Sequence, residues 1–122
     1  MDTLGQFRET LATYRRHGWQ LARVLMRPAT LAALRDATGG GAEFENVAAR
    51  EASFDAMWFE RPAQGGREAW ELRLVAQSPY ALFELFEPDE AEEDREDVRR
   101  EMEAKMDERL NAGEKGETMN DE

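Results

Sequence analysis

Few residues in this chain of 122 have a type and spacing suited to chemistry. The densest set lies between residues 52 and 87, where Asp55, Glu71, Arg73 and Glu84 alternate with apolar neighbours. Side chains alternate between the two faces of an extended strand. Placing Phe54, Ala56, Trp58, Trp70, Leu72, Leu74, Phe83 and Leu85 on one core face predicts a register with Trp58 opposite Trp70 and Leu74 near Phe83. On the other face the same register sets Asp55 across from Arg73, Arg73 across from Glu84, and Glu71 close by. The result is an acid–Arg–acid ladder ringed by Met57, Phe59, Val75, Leu82 and Phe86. Two carboxylates around one guanidinium suit pairing, or holding a cationic ligand, better than proton transfer, which needs a cleft and a displaced pKa. The apolar ring is the kind of patch that marks contact surfaces. These nine residues form the candidate interface or ligand face. The purely structural alternative is that the same face is covered within the monomer.

The remaining chemistry is sparse. A serine triad would need Ser53 or Ser78 with His17, but neither serine sits in a G-x-S-x-G elbow, and His17 follows two arginines at an expected helix end. The acidic run Asp89–Asp94 lacks the spacing and central glycine of a calcium loop. Gly39–Gly41 follows a helix rather than a strand, so it does not match a phosphate-cradling turn. The chain has no Cys, one His, and lysines only at 105 and 115, which excludes thiolate metal sites, cysteine nucleophiles and a phosphate-binding G-x-x-x-x-G-K loop. No catalytic residue, metal site or cofactor is expected.

The elements that must position the ladder can be read from periodicity. Leu4, Phe7, Leu11 and Tyr14 form a helical stripe within residues 3–17, with Thr3 and Gln6 fitting a capping box and Gly18 as the stop. Residues 19–27 read as a strand in preference to a helix. Pro28 opens a second helix over 28–38, ended by the triple glycine. Residues 43–51 connect, with a short strand near Phe44 to Ala48. Strands follow over 52–60, 67–75 and 81–87, with turn residues at 61–66 and 77–79. Pro88 ends the sheet, and a helix with the stripe Val98, Met102, Met106 and Leu110 follows from Asp89.

The expected fold is therefore α+β: a four-stranded antiparallel sheet, or five-stranded with the short connector strand. The two N-terminal-half helices should pack on the Trp58/Trp70 face. Residues 1–88 form the domain, 89–110 an acidic amphipathic helix, and 111–122 a disordered tail. The formal charge of −11 is uneven: residues 1–86 hold 10 basic and 11 acidic groups, and 87–122 hold 6 and 16. An acidic segment of this kind repels phosphate backbones and anionic membranes and suits a basic protein partner. No apolar run approaches a membrane span, and no signal segment is evident, so the expected location is cytoplasmic. Composition and pattern favour a non-catalytic protein-interaction module of the adaptor, chaperone or inhibitor type, with a protein partner or a second copy of the chain. The alternatives are a small-molecule-binding protein or small enzyme using Arg73 and Glu84, and a winged-helix-like regulator, which requires 19–27 to be helical.

Overall fold

The computed structural model describes residues 3–36, 44, 47–78 and 80–119. The chain divides into two compact units, Met1–Pro88 and Asp89–Glu122. The first holds α1 (Thr3–Arg16), β1 (Gln20–Met26), α2 (Pro28–Asp36), β2 (Ala48–Glu51), β3 (Ala56–Pro62), β4 (Glu68–Leu74) and β5 (Tyr80–Phe86); the second holds α3 (Glu92–Met119). The glycine run 39–41 lies outside the described residues. So do 120–122 of the expected tail, while the expected helix end at Leu110 falls inside α3. Among the described residues no helix is long and apolar enough to cross a membrane.

The stripe Leu4, Phe7, Leu11, Tyr14 is the buried face of α1. The helix stops in a Schellman motif: Trp19 N–H donates to Tyr14 O at 3.1 Å and Gly18 N–H to Arg15 O at 3.1 Å. Gly18 sits at φ +87°, a conformation that strains any residue with a Cβ. The wrap brings the Trp19 ring edge-on to Tyr14 at 6.0 Å. Residues 20–26 are a strand, so the condition for a winged-helix arrangement is not met.

The sheet order is β2-β1-β3-β4-β5. It is mixed rather than antiparallel throughout: β2 lies parallel to β1, and the other three pairings are antiparallel. The reason is α2, which carries the chain back across the sheet, as a parallel pair requires. Strand-to-strand hairpins then make β3, β4 and β5 a meander.

The register differs from the expected one. Trp58 pairs with Leu72, and Trp70 with Glu60. This is a slip of two residues, which keeps each side chain on its assigned face. The cause is the β3–β4 turn. Ala63 N–H donates to Arg67 O at 2.9 Å, and the intervening 3-10 turn puts Gly65 and Gly66 at φ +73° and +77°. In the next pairing Arg73 meets Ala81 rather than Glu84, and Leu74 meets Tyr80. That slip of three is odd, so it turns β5 over. Leu82, Glu84 and Phe86 share the Trp58/Trp70 face, whereas Phe83 and Leu85 lie on the face of Met57, Phe59, Glu71 and Arg73.

The helices also pack on the other face from the one expected. Leu4, Phe7, Leu11 and Tyr14 of α1 form one core cluster with Val24, Met26, Met57, Phe59 and Val75, and Leu31 and Leu34 of α2 pack against it. Both faces of β3 and β4 bear large apolar residues, so pattern alone does not choose the covered one. The second face also carries buried residues, among them Leu25, Trp58, Leu72 and Phe86.

In the second unit, Arg99 is buried and donates to Glu92 at 2.7 Å and Glu96 at 2.8 Å. The bond from Arg99 holds the Glu92 carboxyl below its ordinary pKa.

Candidate functional site

Met57, Phe59 and Val75 are interior, all three in the cluster beneath α1. That part of the expected contact face is core. The expected ladder is dismantled as well. Asp55 precedes β3 and faces neither Arg73 nor Glu84. Its carboxylate accepts from the Arg27 backbone N–H and from Arg27 Nε, both at 2.9 Å, while its carbonyl accepts from Val75 N–H at 2.9 Å. It therefore fastens the start of α2 to the ends of β3 and β4. Glu84, Leu82 and Phe86 lie on the sheet face opposite Arg73, so Arg73 and Glu84 cannot form one ligand site.

Of the four charged residues of the ladder, Glu71 and Arg73 alone are brought together, by a residue that sequence reasoning treated as core. The Tyr14 hydroxyl donates to Glu71 Oε2 and accepts from Arg73 Nη1 at 3.5 Å. Burial first, and then the bond to Glu71, push the Tyr14 phenol up to about 12. The available signal was chemical: a buried tyrosine needs a partner for its hydroxyl. A hollow of about 370 Å³ opens beside this group, between α1 and β4.

The second feature is the strand that ends the sheet. β5 pairs with β4 in unbroken register over seven residues, and no strand flanks its outer side among the described residues. Phe83 at its centre is 57% exposed, the one large hydrophobic so exposed among the described residues. Its ring meets Trp19 edge-on at 6.5 Å, and the Arg61 guanidinium stacks on Trp19 at 4.8 Å while donating to His17 O at 2.8 Å. Phe83 and Leu85 also line an open hollow of about 540 Å³ with Ala69 and the β3–β4 turn. The other edge strand, β2, has four residues, all exposed, two of them charged. Short, charged edges resist further pairing, and long apolar ones invite it. Sequence reasoning missed Phe83 because a core role had been assigned to it.

The remaining candidates stay apart. His17 is exposed, with Nδ1 2.9 Å from Thr13 O, and Ser53 and Ser78 are exposed in loops. Among the described residues no three His, Asp or Glu side chains converge as a metal site would require. Compared with known families, with curated proteins and with solved structures, the chain gives no match.

Proposed function

We propose that this chain is a non-catalytic protein-interaction module that works through the outer edge of β5, and that its occupant is a second copy of itself. The carrying observation is Phe83, 57% exposed at the centre of a regular terminal strand without lysine or proline. Such an edge offers backbone donors and acceptors to an added strand, while alternate side chains choose the partner.

The strand's own sequence supports self-pairing. An antiparallel copy centred on Phe83 sets Phe83 against Phe83, Ala81 against Leu85 and Leu82 against Glu84. No like charges then oppose each other, and aromatic pairs across strands stabilise by roughly 0.2–1 kcal/mol each. A two-fold axis brings the same patch from both copies, Trp19 and Leu85 included, as symmetric dimers do. The cytoplasmic setting is part of this proposal on compositional grounds.

Sedimentation velocity of the wild type beside Phe83→Lys tests it. Because Phe83 is exposed, the variant should melt within a few degrees of wild type. The expected result is a wild-type dimer and a monomeric variant. A wild type that stays monomeric at high concentration, or a folded variant that dimerises equally well, would overturn the proposal.

The small-molecule reading has one observation in its favour, the hollow beside Arg73.

A further inference from the structure

Arg73 has no part in the β5 edge, and its surroundings are unusual for an arginine. It stands on β4 between Met57 and Ala81, on the face that α1 covers, and it is only partly exposed. Its Nε is buried without a hydrogen-bond partner among the described residues. Its contacts among the described residues are the Tyr14 hydroxyl, 3.5 Å from Nη1, and the Tyr14 ring, with the guanidinium carbon 5.8 Å from the centroid. Glu71 is linked to it by hydrogen bonds only through that hydroxyl, while its charge also acts across the gap. A guanidinium whose Nε is withdrawn from water, with no carboxylate in direct contact among the described residues, carries a desolvation cost that an anion on its open side offsets.

The hollow beside it supplies the rest of a site. Arg73, Arg16, Thr10 and Thr13 line it, together with Glu9. Arg16 Nη2 lies 3.4 Å from Thr13 Oγ1, which keeps the second guanidinium at the same wall. The volume of about 370 Å³ falls in the range of small-ligand sites, at its small end. Two arginines against one glutamate leave a single positive charge on the lining, which Glu71 behind the Tyr14 hydroxyl offsets; a small anion is therefore held by the guanidinium groups themselves, and the site does not suit a polyanion such as nucleic acid.

We propose that the hollow between α1 and β4 is a binding site for a small oxyanion, a carboxylate or phosphate group clasped between the Arg73 and Arg16 guanidiniums. The threonine hydroxyls donate to its remaining oxygens. Arg73 is the specific element, because its planar fork matches two oxygens of one group. Arg16 is exposed and adds charge. This site is independent of self-association through β5.

The test titrates the full chain with sodium phosphate in one arm and sodium acetate in the other, at constant ionic strength set with sodium chloride. The Arg73 Nε–H resonance should move saturably with millimolar anion, and the melting temperature should rise by roughly 5–10 °C at tenfold excess over Kd. Response to phosphate alone identifies a phosphoryl ligand, and response to acetate alone a carboxylate. Arg16→Gln, at an exposed position, should weaken binding by about tenfold, and Arg73→Gln should abolish it. Chloride-equivalent behaviour in both arms up to 50 mM, or binding unchanged in both folded variants, would overturn the proposal.

Discussion

At the scale of single residues, the acidic groups prove less interchangeable than their spacing suggests. Asp55 belongs to Arg27, 28 positions upstream, and to the loop that follows β4. Nothing in the local pattern distinguishes that partner from Arg73. Replacing Asp55 with Ala removes the acceptor for two donors at the start of α2, and urea unfolding should show a loss of about 1–3 kcal/mol. A loss under 0.5 kcal/mol would mean that the junction is not held there. Tyr14 makes a pH-dependent prediction. Its folded pKa of about 12 stands above the unfolded value of 10, so its contribution to stability is full below pH 10 and is lost as pH rises towards 12. The loss should be roughly 2–3 kcal/mol. Tyr14→Phe cannot ionise, so its stability should fall less over the same window. Parallel curves for the two proteins would contradict the burial of the hydroxyl between Glu71 and Arg73.

Among the elements, the large residues on the second sheet face test whether that face is core as well. Trp70 is 6% exposed, lies edge-on to Trp58 at 5.9 Å, and donates from Nε1 to Glu68 at 3.1 Å. Trp70→Ala should cost about 3–5 kcal/mol by opening a cavity, seen as a large fall in melting temperature. A shift of a few degrees would remove Trp70 from the core. Helix α1 was legible in the sequence because its 3-4-3 stripe and Gly18 stop admit one reading. The α+β class and the meander were legible because turn residues separate β3, β4 and β5. The faces of β4 were legible because Glu71 and Arg73 alternate with Trp70, Leu72 and Leu74; β3, apolar from Ala56 to Phe59, kept its assigned faces because its slip against β4 is even. β5 was not, since Tyr80–Phe86 is apolar at six of seven positions and offers no alternation to fix its parity. The parallel β1–β2 pair was hidden because β2 is short, exposed and separated from β1 by α2. Arg73 and Glu71 misdirected the choice of covered face, because charged residues read as solvent-facing unless a hydroxyl such as that of Tyr14 meets them.

For the whole molecule, the charge distribution bears on association as much as the strand edge does. Residues 1–86 are nearly neutral, whereas residues 87–122 hold 16 acidic and 6 basic groups. Two copies joined at β5 carry that acidity twice. Added salt screens the repulsion, so the dimer should tighten between 50 and 500 mM salt; a basic partner drawn by charge would instead be released. Absence of cysteine makes the central claim directly accessible, since one introduced thiol is the only thiol in the chain. A two-fold axis through residue 83 brings that position of both strands together, within the reach of a disulfide. Mild oxidation of Phe83→Cys, read on a non-reducing gel, should give a covalent dimer at low micromolar concentration. Ala81→Cys should stay monomeric, because its opposite position is Leu85. A Phe83→Cys protein that remains monomeric, or an Ala81→Cys protein that crosslinks equally well, would contradict pairing through β5.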